Sequence, residues 1–476
     1  MQLHMPEYKW RIFGVTGLAN IATAIAISSI TLALPVMADD FGVSMAAISW
    51  LSLVYSLVPS CTLLIFGRLA DLNGYKRQFI CGFTVFGIAS LLLPALSRGL
   101  VTLILFRALQ GLGYAMMISI TQAMCNRAFP PEERGKALGV NSIFVSIGLS
   151  AGPSISGLLM SRFTWRSIFY FNAPFCLLGV IMAILILKKD TKPSGTPLRM
   201  DFPGSLLFAA AVGSLMLAIN FSADWGLASV GFIGCLLVSI VALGLFIYRE
   251  NRVDIPLMKL ALYKNSVFSL ANGASVCSYT IQQMTNFLVP FYLMNILMVS
   301  KSNSGFIMLA TPLTMLFFSP YGGKVADRYG SRRPAVIGLA AIAVGCGALC
   351  ILTDTTPVYY MVIALLLYGV GNGFSVSAIN SAIFSAAPRE DSGMASGMVA
   401  TLRNLGQGMG VAFGGAIMAV RQNAYNARAL ADGAVTGTNR IYLAAQRDAF
   451  LFGLCVVAIA FVCMMRIPGK KQNVSL

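Results

Sequence analysis

Apolar runs of about twenty residues alternate with short polar stretches along the whole chain. A hydrocarbon core about 30 Å thick needs roughly 20 such residues in a helix, so each run predicts a membrane-spanning helix. Fourteen spans follow: Phe13–Val36, Ala47–Phe66, Phe79–Leu96, Leu100–Met124, Ala137–Met160, Ile168–Leu187, Phe202–Phe221, Leu227–Ile247, Val267–Leu293, Ser304–Gly322, Ala335–Leu352, Val358–Ala382, Ala395–Val420 and Ala449–Met465. The expected fold is an all-α membrane protein.

One polar cluster occurs twice, 256 positions apart. The first copy is Gly67-Arg68-Leu69-Ala70-Asp71 with Gly74, Lys76 and Arg77. The second is Gly323-Lys324-Val325-Ala326-Asp327 with Gly330, Arg332 and Arg333. Each lies between two apolar spans. The echo divides the spans into six, two and six: residues 1–187, an inserted pair within 188–265, and 266–476. Gly67, Gly74, Gly323 and Gly330 permit close approach or a tight turn. Asp71 and Asp327 can bond the N-terminus of a facing helix, where free N–H groups and the dipole favour anions. The expected role is a latch that holds one side shut.

Composition points to the same class. Charged residues make up 11% of the chain and hydrophobic ones 57%, against about 25% charged in soluble domains. The net charge of +17 would suggest nucleic acid in a soluble protein. Here the bases gather in loops between apolar runs, an orientation signal, so no nucleic-acid partner is expected. Loops on the side of the repeated cluster carry nineteen Lys and Arg against eight opposite, which predicts cytoplasmic termini. Segment 188–199 reads as a flexible joint, and 421–448 as a long external loop that is either a hairpin or short surface helices. The ten cysteines are scattered, and His4 is the only histidine. Neither a disulfide framework nor a metal site is expected. No Walker loop or nucleophile elbow points to an enzyme.

Two spans carry further patterns. In the fourth, Leu103, Arg107, Gln110, Gly111 and Gly113 recur at helical spacing, with Arg107, Gln110, Gly111 and Tyr114 on one face. An arginine at depth costs about 2.5–3.5 kcal/mol, so it needs a partner, a wet cavity or a short path to the surface. In the fifth, Gly139, Gly148, Gly152, Pro153 and Gly157 allow tight packing and a bend.

The repeated cluster resembles the signature loop of the major facilitator superfamily of secondary transporters. The fourth-span pattern resembles that superfamily's motif associated with proton coupling. Gly148, Gly152, Pro153 and Gly157 resemble its antiporter motif, with Ser156 where a glycine is expected. Leu32-Ala33-Leu34-Pro35, Trp50, Tyr55, Trp165-Arg166 and Phe171-Asn172-Ala173-Pro174 are similar to the fourteen-span drug:proton antiporter family, as are Gly369-x-Gly371-Asn372-Gly373 and Arg403-x-x-Gly406. The resemblance implies two six-helix bundles plus two inserted helices. It also implies a proton gradient as energy source, with no bound cofactor.

One departure matters. Where that family usually has an aspartate in the first span, this chain has Ala26. All seventeen acids fall in loops or at span ends, so the family's coupling chemistry does not carry over intact. Asp39 or Asp40, at the end of the first span, is expected to pair with Arg107 and titrate during transport, or else to be solvated.

Transporter sites lie near the midplane, between the halves. The expected lining is Asn20, Thr23, Gln110, Tyr114, Tyr279, Gln282, Asn286, Asn372 and Arg403, with Met284, Phe287 and Met315 suited to varied apolar ligands. The expectation is a monomeric exporter of amphiphilic small molecules in the inner membrane of a bacterium. The alternatives are export of an endogenous metabolite, anion or lipid, and a sensor that does not transport.

Overall fold

The computed structural model describes residues 6–43, 45–128, 134–188, 201–226, 229–253, 258, 260–387, 392–431 and 438–468. These are helical almost throughout. The helices are α1 (Pro6–Phe41), α2 (Met45–Asn73), α3 (Tyr75–Leu96), α4 (Leu100–Ala128), α5 (Arg134–Arg162), α6 (Ser167–Ile186), α7 (Phe202–Trp225) and α8 (Val230–Glu250). After a 3-10 turn at Leu260–Lys264 come α9 (Ser266–Asn295), α10 (Lys301–Met308), α11 (Ala310–Tyr329), α12 (Arg332–Cys350), α13 (Val358–Ala386), α14 (Ser392–Ala431) and α15 (Thr438–Met465). The pair α10 and α11 is one helix interrupted at Leu309. Pro312 explains the break: it has no N–H to give the carbonyl of Met308, and its ring crowds that carbonyl. Counted so, there are fourteen long helices among the described residues.

Twelve of the fourteen are apolar enough to cross a membrane by length and composition. Fourteen long helices thus match the fourteen expected, and twelve of them pass on apolarity. The two that fall short are α9 and α14. The reason is chemical: α9 buries Asn272, Ser275, Ser278, Gln282 and Thr285, and α14 buries Thr401 and Asn404 and carries Arg403. They turn polar groups inward, which lowers the hydropathy of the whole helix.

Packing is mostly local to each half of the sequence. In the first half α1 lies along α5 and also touches α4 and α6, while α3 packs on α4 and α6, and α2 on α4. In the second, α9 packs on α13, α14 and α15, α11 on α13, and α12 on α13 and α15. One apolar core runs from Leu262 to Ile467. Two others lie within residues 12–187, one of them joined by Ala400. The halves meet where α2 and α4 touch α14 and where α5 touches α10 and α11. The hairpin α7–α8 sits on the first of these seams. There Phe208, Val212, Met216 and Phe246 cluster with Leu64 and touch Leu405, and Phe221 packs on Trp50 at 4.7 Å between ring centres.

Both copies of the repeated cluster make the same turn. Gly74 has φ 92 and ψ 145, and Gly330 has φ 87 and ψ 152. Their N–H groups donate to Ala70 O at 2.8 Å and Ala326 O at 2.9 Å. This is backbone that L residues rarely adopt, so glycine is required there.

Segment 421–448 is expected from sequence to be a hairpin or short surface helices. Its described parts are helical: α14 continues to Ala431 and α15 starts at Thr438, and residues 432–437 lie outside the described residues. The side chains tie the two extensions together. Asp448 accepts from Arg421 Nε at 2.5 Å and from Tyr425 Oη at 2.7 Å. The alanine-rich stretches on either side also favour helix.

Candidate functional site: a central cavity beside a buried arginine

A cavity of about 1020 Å³ lies between α1, α4 and α5 on one side and α9, α11, α13 and α14 on the other. Of the residues expected to line it, Asn20, Thr23, Tyr114, Tyr279, Gln282 and Arg403 do so. Three do not. Gln110 is buried within the first half and donates to Ser90 Oγ at 2.7 Å. Asn372 is buried in the second half and donates to Tyr368 O at 3.1 Å. Asn286 lines an adjoining space of about 610 Å³ that shares Ile27, Leu149, Gln282 and Met315 with the first. Met315 lines both spaces, whereas Met284 is buried in the core of the second half and Phe287 packs against it.

The lining is stitched by neutral hydrogen bonds. Asn20 Nδ2 donates to Asn141 Oδ1 at 2.5 Å, Tyr114 Oη to Asn404 Oδ1 at 3.1 Å, and Gln282 Nε2 to Met315 Sδ at 3.4 Å. Tyr114 to Asn404 joins the halves directly. Arg403 lies within electrostatic reach of Tyr114 and Tyr279. Among the described lining residues it is the one charged group, and none is a carboxylate. Asn141, Ser319, Ser377, Asn380 and Gln407 also line the space and were not singled out from sequence. Their signal was there: Arg403 and Gln407 are one turn apart on α14, and Ser377 and Asn380 share a face of α13.

Arg107 does not reach towards the surface. It is 1% exposed, and its partners among the described residues are all neutral. Its guanidinium donates to Gln110 Oε1 at 2.5 Å, Ala26 O at 3.0 Å and Leu51 O at 3.3 Å, and lies 3.9 Å over the ring of Tyr55. Tyr55 in turn stacks on Tyr114. The expected pair with Asp39 or Asp40 is not formed. Asp40 accepts from Trp165 Nε1 at 2.8 Å and lies 4.0 Å from Arg166. Asp39 borders the same surface hollow as Asp40, Trp165 and Arg166.

The glycines of α5 form its seam with α1. A Cβ at Gly148 would lie 2.6 Å from Ala24 Cβ and 2.7 Å from Ile21 O, and one at Gly152 would strike Ser28 Oγ. Ser156 donates to Ser29 O at 2.7 Å, so the departure from the glycine pattern adds a bond across the seam. Gly157 is buried on the same helix. At Pro153 the seam meets the other half: a Cβ at Gly305 would lie 3.0 Å from Pro153 O.

Of the latch residues, Asp71 and Asp327 are in the last turns of α2 and α11, and their side chains lie outside the described residues. Lys76 donates to Ile184 O and Leu187 O at 2.7 and 2.6 Å, closing the end of α6. Arg332 approaches Met465 Sδ at 3.9 Å. Gly323 has open space where a Cβ would be, and Gly67 has only Ser119 nearby.

A helical membrane protein with a polar cavity between its halves has the architecture of a transporter. The chain belongs to the Major Facilitator Superfamily, whose sequence profile matches residues 16–273 and 271–473. It is 30% identical to the riboflavin transporter RibZ of Clostridioides difficile (strain 630), over 86% of this chain and 88% of that one. It is also 30% identical to the multidrug resistance protein Stp of Mycobacterium tuberculosis (strain ATCC 25618 / H37Rv), over 85% of this chain and 75% of that one. A crystal structure of an auto-inhibited POT family peptide transporter superposes with a TM-score of 0.70 at 12% identity, covering 97% of this chain and 98% of that one. The protein is thus a multi-pass secondary transporter with a small-molecule substrate, and not an enzyme.

Proposed function

We propose that the protein exports neutral or weakly anionic amphiphilic molecules across a bacterial cytoplasmic membrane, by alternating access of two six-helix bundles and at the expense of the proton gradient. The carrying observation is the lining of the central cavity: amides, hydroxyls, aromatic rings and methionine with Arg403 as its charge. A permanent cation would enter beside a like charge with no described carboxylate to receive it. A flat heteroaromatic with hydroxyls would find donors and acceptors on both halves. Riboflavin, which the name of the relative RibZ specifies, has that chemistry. The drug-resistance name of Stp supports export.

The repeated turns at Gly74 and Gly330 support placing both clusters on one face, which the basic loops assign to the cytoplasm along with both termini. A proton moving inward supplies about 2.3 kcal/mol per 100 mV. Asp39 and Asp40, at the end of α1, border a surface hollow with Trp165 and Arg166, and they are the acids we assign to the coupling.

Inverted membrane vesicles test the reading. Riboflavin should accumulate when the interior is made acidic, and a protonophore should release it. A quaternary ammonium dye should accumulate several-fold less. Strong uptake of the dye with none of riboflavin would reject the substrate class; uptake of either that ignores the protonophore would reject the coupling.

A further inference from the structure

A charged guanidinium in a low-dielectric interior is costly unless a negative group faces it. Arg107 has no such group among the described residues. Its partners are two backbone carbonyls, the amide of Gln110 and the ring of Tyr55. A guanidinium carries five N–H donors; these contacts engage Nε, Nη1 and Nη2 once each, which leaves two N–H groups. Arg107 also borders a crevice between the halves, lined by Thr31, Ser52, Tyr55, Ser56 and Gln283 as well.

A second observation concerns a residue that borders the same crevice. The hydroxyl of Tyr55, a residue 3% exposed, is buried and has no hydrogen-bond partner among the described residues. A buried donor left so calls for an explanation. A fixed cation, an unpartnered O–H and the side chains of Ser52 and Ser56 therefore border one small space. That set is a donor cradle with a positive charge and no described acid.

We infer that Arg107 and Tyr55 form a binding site for a small anionic group, separate from the central cavity at Arg403. The anion accepts from the guanidinium and from Tyr55 Oη, and supplies the counter-charge that position 26, an alanine, does not. Inorganic halide and an organic carboxylate carried by a substrate share this chemistry. The positive charge of Arg107, with no described acid beside it, favours an anion there and opposes a cation. The site does not depend on the direction or energy source proposed above.

Thermal unfolding of the purified full chain in detergent tests it, because it requires no transport. The sodium salt of HEPES, a bulky sulfonate without a carboxylate, is replaced stepwise by sodium chloride at constant ionic strength, and separately by sodium benzoate. The midpoint should rise saturably with one or both anions in the wild type. In R107Q the rise should be lost. In Y55F, which keeps the ring under the guanidinium, about tenfold more anion should be needed. A response to chloride alone identifies a solution halide as the occupant; a response to benzoate alone identifies an acid group borne by a larger molecule. A wild type indifferent to both anions overturns the inference. So does a Y55F protein that folds and answers to the anion at wild-type concentrations, which also covers the case in which R107Q does not fold.

Discussion

At the scale of single residues, two arginines have been put to different uses. Arg107 is locked by carbonyls and an aromatic ring inside one half. Arg403 stands in the central cavity, on a helix that touches the other half. An exposed ion pair is worth little, but a charged hydrogen bond in a closed cavity is worth about 1.5–3 kcal/mol, or roughly ten- to a hundredfold in affinity. R403Q is therefore expected to weaken transport of an anionic amphiphile by about tenfold or more while changing a neutral one of the same shape much less. Competition of graded concentrations of the two compounds against a fluorescent substrate, in R403Q and in wild type, measures the split. Equal losses for both would show that Arg403 shapes the cavity without reading charge. The types of residue at these points were legible in the sequence, because an arginine inside an apolar run stands out. Their partners were not. The pairing of Arg107 with Asp39 or Asp40 followed from charge alone, whereas neutral carbonyls from α1 and α2 converge on Arg107 only once the helices are packed. Gln110 and Asn372 were misplaced for a related reason: helical period fixes a face, not which neighbour covers it.

At the scale of elements, the seam of α1 and α5 shows how small residues become function. Gly148 and Gly152 let the two backbones approach until no Cβ fits between them. Overpacking of a close contact typically costs about 1–3 kcal/mol. At Gly148 the obstruction is the backbone of Ile21, which cannot rotate away, so G148A should cost near the top of that range. At Gly152 the nearest atom is the hydroxyl of Ser28, a side chain with other rotamers. S28A in the background of G152A should recover part of the loss, although Ser29 N at 2.9 Å keeps the recovery incomplete. Thermal unfolding of the four proteins, with transport measured on those that fold, checks the order. G148A as stable as wild type would mean that the helices are not so close in the membrane. The glycine pattern was visible in the sequence, but the bond from Ser156 to Ser29 was not, since the residue stood where a glycine was expected. The element count shows the opposite limit. Apolarity alone recovers twelve spans, and the two it loses, α9 and α14, line the cavity and carry several polar groups each. Five other helices line the cavity and still pass, so the mean hydropathy of a helix decides, not its place beside the cavity.

At the scale of the whole molecule, the halves touch along two unlike seams. On one, α2 and α14 are bridged by α7, with Met216 set against Gly408 and Phe221 against Trp50. On the other, α10 and α11 lie on α5, and Gly305 rests on the backbone of Pro153 and Ser154. Alternating access requires one mouth of the cavity to part while the other closes. The contact at Gly305 is far along α5 from its start, at the end opposite the turns at Gly74 and Gly330. Among the described residues it is a backbone contact with no hydrogen bond or ion pair across it, suited to parting and reforming. A disulfide between S154C and G305C should hold that mouth shut. Its formation under oxidant is expected to stop transport, and reduction should restore it, with each single variant as control for the native cysteines. A companion pair across the bridged seam, M216C with G408C, should slow transport much less, because α7 and α14 there are packed as one surface. Complete cross-linking of S154C to G305C with undiminished transport would mean that the two halves do not separate at that end, and the rocking of two bundles about the central cavity would have to be replaced by motion within a single half.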